Sequence, residues 1–240
     1  MTEIIKLEGL IIKKKDINES DRLLTVVTTS LGKHSIIIKG INKSKKRDKT
    51  SSDIFSYSKF IAYKKGENFI ANTVDSIEVF ENIKKDIDKI SIGLYMCSIL
   101  NESLNFGERN SKIYNLALKS FGYLNKEEDI NKNWVLLLFF FYKILVEQGV
   151  NFILEKGNYF SIENSCLSEI KYENSILLNS VQEKIIRKIY LKKVKELLEE
   201  KFLKKDIFLI IEAFEKYFNY HLDGSLNLKK YIWEAEWNGE

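Results

Sequence analysis

Over the first eighty residues, apolar and polar positions follow a period of about two, the pattern of strands that bury one face. Leu7, Gly9 and Ile11 alternate with Lys6, Glu8 and Leu10 in a first strand near 4–14. Asp21 to Thr29 and Lys33 to Lys39 are alternating and rich in β-branched residues, and Ile54 to Lys64 and Asn68 to Phe80 complete five strands. Gly32, Gly40 and Gly66 fall in or beside the connections, where turns need an open backbone. Five short strands without long helical patterns between them predict a small antiparallel barrel or sandwich. Residues 41–53 are polar and basic, carry no apolar period, and read as a loop.

From about residue 82 the spacing changes to three and four. Ile83, Ile87, Ile90, Leu94 and Cys97 or Ser98 form one stripe, and Ile113, Leu116, Ala117 and Phe121 another. Trp134 to Val146 is apolar on nearly all sides, as expected for the central helix of a bundle. Ile207, Ile210, Ile211, Phe214, Phe218 and Leu222 make a clear stripe, and Ile186, Ile189, Tyr190, Val194, Leu197 and Leu198 a less tidy one. Between Gly149 and Ser180 the pattern is weak and reads as a loop or small irregular insertion. The fold class is therefore α+β: strands in 1–80, helices in 81–240.

Charge refines this division. The chain has 240 residues with a net charge of +4, and residues 1–80 hold 15 Lys and Arg against 10 Asp and Glu. Lys39, Lys43, Lys45, Lys46, Arg47 and Lys49 face a single acid, Asp48. Such a cluster is either a phosphate-binding footprint or a solvated loop. Lys so outnumbers Arg, 34 to 4, that the composition suits an AT-rich genome, and only the placement of the lysines is informative. The longest strongly apolar run, Trp134 to Tyr142, is nine residues, against the ~20 of a membrane span. The opening Met1 to Lys6 lacks the pattern of a secretory signal. The expectation is a soluble, cytoplasmic protein with no membrane partner.

Chemistry-bearing motifs are sparse. Gly32-Lys33-His34-Ser35 lacks the preceding glycine of a phosphate-binding loop, and no dinucleotide fingerprint or H-E-x-x-H occurs. His34 and His221 read as ordinary partly buried histidines. Asp86/Asp88 and Glu199/Glu200 read as solvated helix faces and Cys97 as a core residue. Two cysteines, Cys97 and Cys166, cannot build a disulfide framework or a four-thiolate zinc site. No enzymatic chemistry, catalytic residue, metal or cofactor is expected.

One ordered set of motifs remains. A first strand ends in Lys13-Lys14-Lys15-Asp16, followed by Glu19-Ser20-Asp21-Arg22-Leu23-Leu24, Thr28, Gly32-Lys33, and Lys39-Gly40 with the basic loop Asn42 to Lys49. This set resembles the RecO family of recombination mediators in bacterial DNA repair. Gln148-Gly149 falls where that family has a glycine before a zinc insertion, and Tyr217 to Leu222, with Lys229 beyond, resembles its last helix. The chain departs from the family pattern in three ways. Asn18 stands where the family usually has glycine, Cys166 alone remains of four zinc-site cysteines, and there is no proline.

The resemblance implies an OB-fold five-stranded β-barrel over 1–80 and an α-helical domain over 81–240, with a degenerate zinc-insertion region near 150–178 that binds no metal. It implies binding of single- and double-stranded DNA, annealing of complementary strands, and RecA loading with RecR in the nucleoid. It also implies docking of the C-terminal tail of the single-stranded DNA-binding protein. The alternative is a non-catalytic adaptor that docks such an acidic tail with little DNA affinity of its own. For the DNA reading, Lys33, Lys39, Lys43, Lys45, Lys46, Arg47 and Lys49 are expected to form one phosphate track. Arg22 either extends it or pairs with Asp21 or Glu19. Lys13, Lys14 and Lys15 are either a second groove edge or a solvated strand end. Tyr57 and Tyr63 share a face of the fourth strand, where core packing is the more common role and base stacking the other.

Overall fold

The computed structural model of the chain describes residues 4–232. Met1–Glu3, part of the opening segment read for a signal, lie outside the described residues, as does 233–240. The chain forms two compact units: Met1–Asp86 with Leu104–Lys126, and Ile87–Ser103 with Glu127–Glu240.

The first unit holds β1 (Ile4–Asp16), β2 (Arg22–Thr28), β3 (Gly32–Ile38), β4 (Ser56–Lys65) and β5 (Asn68–Val79). They close into a barrel in the order β1-β2-β3-β5-β4, with β4 pairing back onto β1. Closure is by a short parallel pairing of Ile36–Ile38 with Phe69–Ala71, while the other pairings are antiparallel. This is the five-stranded OB barrel that the strand pattern and the resemblance lead one to expect. Leu24, Val26, Ile36, Ile38, Phe60 and Phe69 point inward as its core.

β1 is long because it serves two partners, with Ile4–Leu10 along β4 and Gly9–Asp16 along β2. An irregularity at Ile12 turns the strand between them, as bulges do. Hence Leu10, Ile11 and Ile12 are buried in succession, which strict alternation would forbid. Gly9 sits at the crossing, where a Cβ would lie 2.4 Å from Val26 Cγ1.

The helices are α1 (Ile87–Ser103), α2 (Ser111–Lys126), α3 (Ile130–Glu147), α4 (Ser180–Tyr190), α5 (Val194–Glu199) and α6 (Lys204–Leu222). α2 groups with the barrel unit, where Phe121 packs on Phe55 and Phe80 at 5.8 and 6.1 Å between ring centroids. The second unit is built around α3, buried on most of its circumference from Asn133 to Leu145. Asp129 caps α3 by accepting from the Asn131 N–H at 2.9 Å, and Asn179 with Gln182 forms a capping box on α4.

Three local expectations are corrected. The stretch read as loop between 149 and 180 contains a four-stranded sheet of β6 (Ile153–Leu154), β7 (Tyr159–Ser161), β8 (Cys166–Ser168) and β9 (Ser175–Leu177), ordered β6-β8-β7-β9. Strands of two or three residues are too short to show a period. The α1 stripe is partly displaced: Ile83 and Cys97 are buried as expected, but Ile87 is half-exposed and the buried face also takes in Ile92, Tyr95, Met96, Ile99 and Leu100. On β4 the core face is Ser56, Ser58, Phe60 and Ala62, which leaves Tyr57 and Tyr63 half-buried on the opposite face. They therefore do not point into the barrel core, and the Tyr57 hydroxyl donates to Glu8 at 3.0 Å.

Among the described residues no helix is long and apolar enough to cross a membrane.

Candidate nucleic-acid interface

The basic loop leaves β3 at Lys39 and returns through a 3-10 turn, Thr50–Ser52, to β4. Apart from Ile41, which is buried in the barrel core, the segment has little apolar surface, and hydrogen bonds fix the rest of it. The turn between β1 and β2 supplies them. Asn18 Oδ1 accepts from the backbone N–H groups of Ser20 and Asp21, both at 2.8 Å, which closes that turn without the family's usual glycine. Its neighbours then reach the loop one by one. Glu19 pairs with Lys43 at 2.8 Å, the Ser20 carbonyl accepts from the Asn42 N–H at 3.0 Å, and the Asp21 carboxylate accepts from the Gly40 N–H at 2.8 Å. The hydrogen bonds from Gly40, Ser20 and Asn18 hold the Asp21 carboxyl below the ordinary carboxylate range.

Arg22 completes the mount. Its guanidinium donates to Asp16 at 2.9 Å, Ser52 Oγ at 3.0 Å and Asn42 Oδ1 at 3.0 Å. With 9% of its surface exposed, Arg22 joins both ends of the loop to the barrel. Its carboxylate partner is Asp16, neither Asp21 nor Glu19. Lys33 is also drawn inward, 5% exposed, with Nζ 4.7 Å from the centre of the Phe106 ring. The face shared by Lys33 and Lys39 on paper is interrupted because Phe106 bridges to β3 at Lys33.

The remaining cations are exposed but differ in role. Arg47 donates to the Lys39 carbonyl at 2.8 Å and the Asn72 carbonyl at 3.3 Å, and Lys49 donates to the Asn42 carbonyl at 2.8 Å. These brace the loop while keeping their charge in solvent. Lys39, Lys45 and Lys46 have no side-chain hydrogen bond or ion pair among the described residues. The loop's one acid, Asp48, accepts from the Thr50 hydroxyl and backbone N–H, which lower its pKa. Lys46, Arg47 and Asp48 line a cleft of about 410 Å³ with Thr73 and Asp75 of β5. Lys46 and Arg47 balance Asp48 and Asp75 in the cleft itself, so the excess positive charge that can hold phosphate oxygens without reading sequence lies on the exposed loop around it.

The triplet at the end of β1 is exposed, and Lys14 pairs with Asp53, which Lys84 also holds at 2.7 Å. Burial alone would raise the Asp53 carboxyl, but the hydrogen bonds from Lys14 and Lys84 outweigh it and lower the pKa.

The zinc insertion implied by the resemblance does not fit the residues present. Cys166 is buried in β8, and among the described residues no three His, Cys, Asp or Glu side chains gather as a metal site. The small sheet is held instead by aromatic packing, with Phe152 on Phe160 at 5.1 Å and Phe160 on Tyr217 at 5.5 Å. His221 lies 2.8 Å from the Ile162 carbonyl, and His34 meets the Phe69 ring edge-on at 5.2 Å.

Sequence reasoning missed the mounting role of Asn18, Asp21 and Arg22, and missed Phe106. The signal for the first was the motif's fixed order just ahead of a basic loop. For Phe106 it was an aromatic residue beside Gly107 between two helical stripes.

Residues 1–82 match the family model Recombination protein O N terminal, and 84–158 match Recombination protein O C terminal. A DNA repair protein RecO of Clostridium novyi is 30% identical over 154 residues, covering 64% of this chain and 59% of that protein. Proteins of the same name from Alkaliphilus metalliredigens and Acetivibrio thermocellus are each 27% identical, over 125 and 124 residues, covering 52% of this chain and 51% and 49% of theirs. The chain thus spans between about half and three-fifths of these relatives' length. With the OB barrel, the ordered motif that mounts its basic loop and the two consecutive matches, the chain belongs to the RecO family.

Proposed function

We propose that this chain is a DNA-repair recombination mediator that binds single- and double-stranded DNA through the barrel's basic loop and anneals complementary strands. In this reading residues 1–80 are the DNA-binding domain. The helical region of 81–240 serves partners, namely RecR, through which RecA is loaded, and the acidic tail of the single-stranded DNA-binding protein. The observation that carries it is the mounted loop, in which Lys39, Lys45 and Lys46 are exposed and unpaired among the described residues. The loop backbone is held in place before any ligand arrives, so little backbone freedom is lost on binding, while the free lysine side chains can adapt to the phosphates. Lysine contacts to phosphate carry no base information, so two strands can be held together while base pairing does the recognition. A surface of this kind lowers the repulsion between strands and needs no catalytic group.

The test is the annealing of two complementary oligonucleotides, one carrying a fluorophore and one a quencher. The triple variant Lys39→Glu, Lys45→Glu, Lys46→Glu is expected to lose annealing and keep the wild-type circular dichroism spectrum. Annealing at the wild-type rate by the folded variant would overturn the assignment.

A further inference from the structure

A second cleft in the barrel unit, of about 500 Å³, opens beside β3. It is lined by His34 and Ser35 of β3, Lys64, Glu67 and Asn68 around the β4–β5 turn, and Phe106. Phe106 is 62% exposed, yet its backbone is fixed. The Gly107 N–H donates to the Lys33 carbonyl at 2.9 Å, and the Glu108 N–H donates to the Asn105 carbonyl at 3.1 Å. Gly32, at φ +74°, lies so close to the next turn that a Cβ would sit 1.8 Å from the Glu108 carbonyl oxygen. An apolar ring is thus held out in water by a rigid mount, with Lys33 Nζ 4.7 Å from its centre.

The surroundings select the ligand. Lys64 and Arg109 are exposed, and both act electrostatically on His34. Among the described residues Phe106 is the one apolar side chain of the cleft, which therefore offers no groove to an apolar peptide. A single aromatic face with cations around it and polar side chains opposite fits a flat, hydrogen-bonding ring attached to a phosphate chain. OB barrels bind such strands along strands 2 and 3 and the 4–5 loop. β3 runs from His34 in this cleft to Lys39 and the basic loop, five residues or about 17 Å at strand rise.

We infer that Phe106 is a stacking platform for an unpaired nucleobase, so that the cleft between β3 and the β4–β5 turn is a single-strand subsite separate from the phosphate-binding loop. The inference rests on the DNA-binding reading of that loop. It predicts a preference for unpaired strands that the loop's lysines alone do not give.

The experiment measures fluorescence anisotropy with three probes of about 15 nucleotides, within the site size of an OB fold: oligothymidine, an abasic strand of the same length, and a duplex. Phe106→Ala is expected to weaken oligothymidine binding roughly tenfold, in line with the removal of one base–aromatic stack. It should leave the abasic strand and the duplex unchanged, and Phe106→Tyr should bind oligothymidine like the wild type. Unchanged oligothymidine affinity, or an equal weakening on the abasic strand, would overturn the inference. The loop triple variant is measured alongside and should weaken all three probes. If it weakens none, the loop reading fails, whatever Phe106→Ala does.

Discussion

Arg22 and Lys46 carry the same formal charge a short way apart in the chain, yet the fold gives them opposite tasks. Arg22 has Asp16, Ser52 and Asn42 around its planar fork, while Lys46 faces solvent at the rim of a cleft. Charge-assisted hydrogen bonds contribute about 1.5–3 kcal/mol each. Arg22→Ala should therefore cost roughly 3 kcal/mol, a fall in Tm of roughly 6–12 °C by thermal unfolding. Arg22→Lys should recover less than half of it, because a single ammonium cannot span three acceptors. A variant with unchanged Tm and weakened DNA affinity would return Arg22 to the phosphate track. Which cations are structural could not be read from the sequence. Burial of Arg22 depends on Ser52, thirty positions away, and burial of Lys33 on Phe106. Residue type and spacing picked out the cluster as a loop, and packing across the fold sorted its members into buried and exposed.

At the scale of elements, legibility followed length and regularity. The barrel strands run from seven to thirteen residues and show their alternation. The strands of the small sheet are two or three residues long and show none. The α1 stripe was partly misplaced because that helix is apolar enough on several sides for a false period to fit. A further element-level feature, invisible in one dimension, joins α1, α6 and the 3-10 turn Leu228–Lys230. The buried Glu215 carboxylate accepts from the Tyr95 hydroxyl at 2.6 Å and from the Leu228 N–H. Burial raises the Glu215 pKa against the lowering effect of those two donors, and burial likewise raises the Tyr95 hydroxyl well above its ordinary value. A carboxyl whose folded pKa is raised binds its proton in the folded state first. Its contribution to stability is therefore greatest at low pH and declines as pH rises from about 4.5 through the folded value. Glu215→Gln keeps an acceptor for both donors and cannot titrate. Urea midpoints measured across that window should fall with pH less in the variant than in the wild type. Parallel pH profiles would contradict the assignment.

For the whole molecule, grouping residues by compact unit sharpens the charge division that the linear count suggests. The barrel unit, with α2 included, holds 21 Lys and Arg against 13 Asp and Glu, a net of +8, and the helical unit has a net of −4. The linear count missed part of this because Arg109, Lys112, Lys119 and Lys126 lie outside the first eighty residues and yet belong to the barrel unit. An excess of this size on one unit is an argument about partners and association, not about fold. In the proposed reading it raises the local concentration of nucleic acid around the barrel, while the mounted loop sets where phosphates are held. The most direct test is single-strand affinity across a salt series, comparing the wild type with the triple variant at Lys39, Lys45 and Lys46. For about four bound phosphates the log–log slope of the wild type should be roughly −3, and it should become shallower by about 0.7 for each phosphate that the variant no longer holds. A wild type that binds no DNA at low salt, or a variant with the same slope and affinity, would contradict the account and leave the basic loop as a solvated turn.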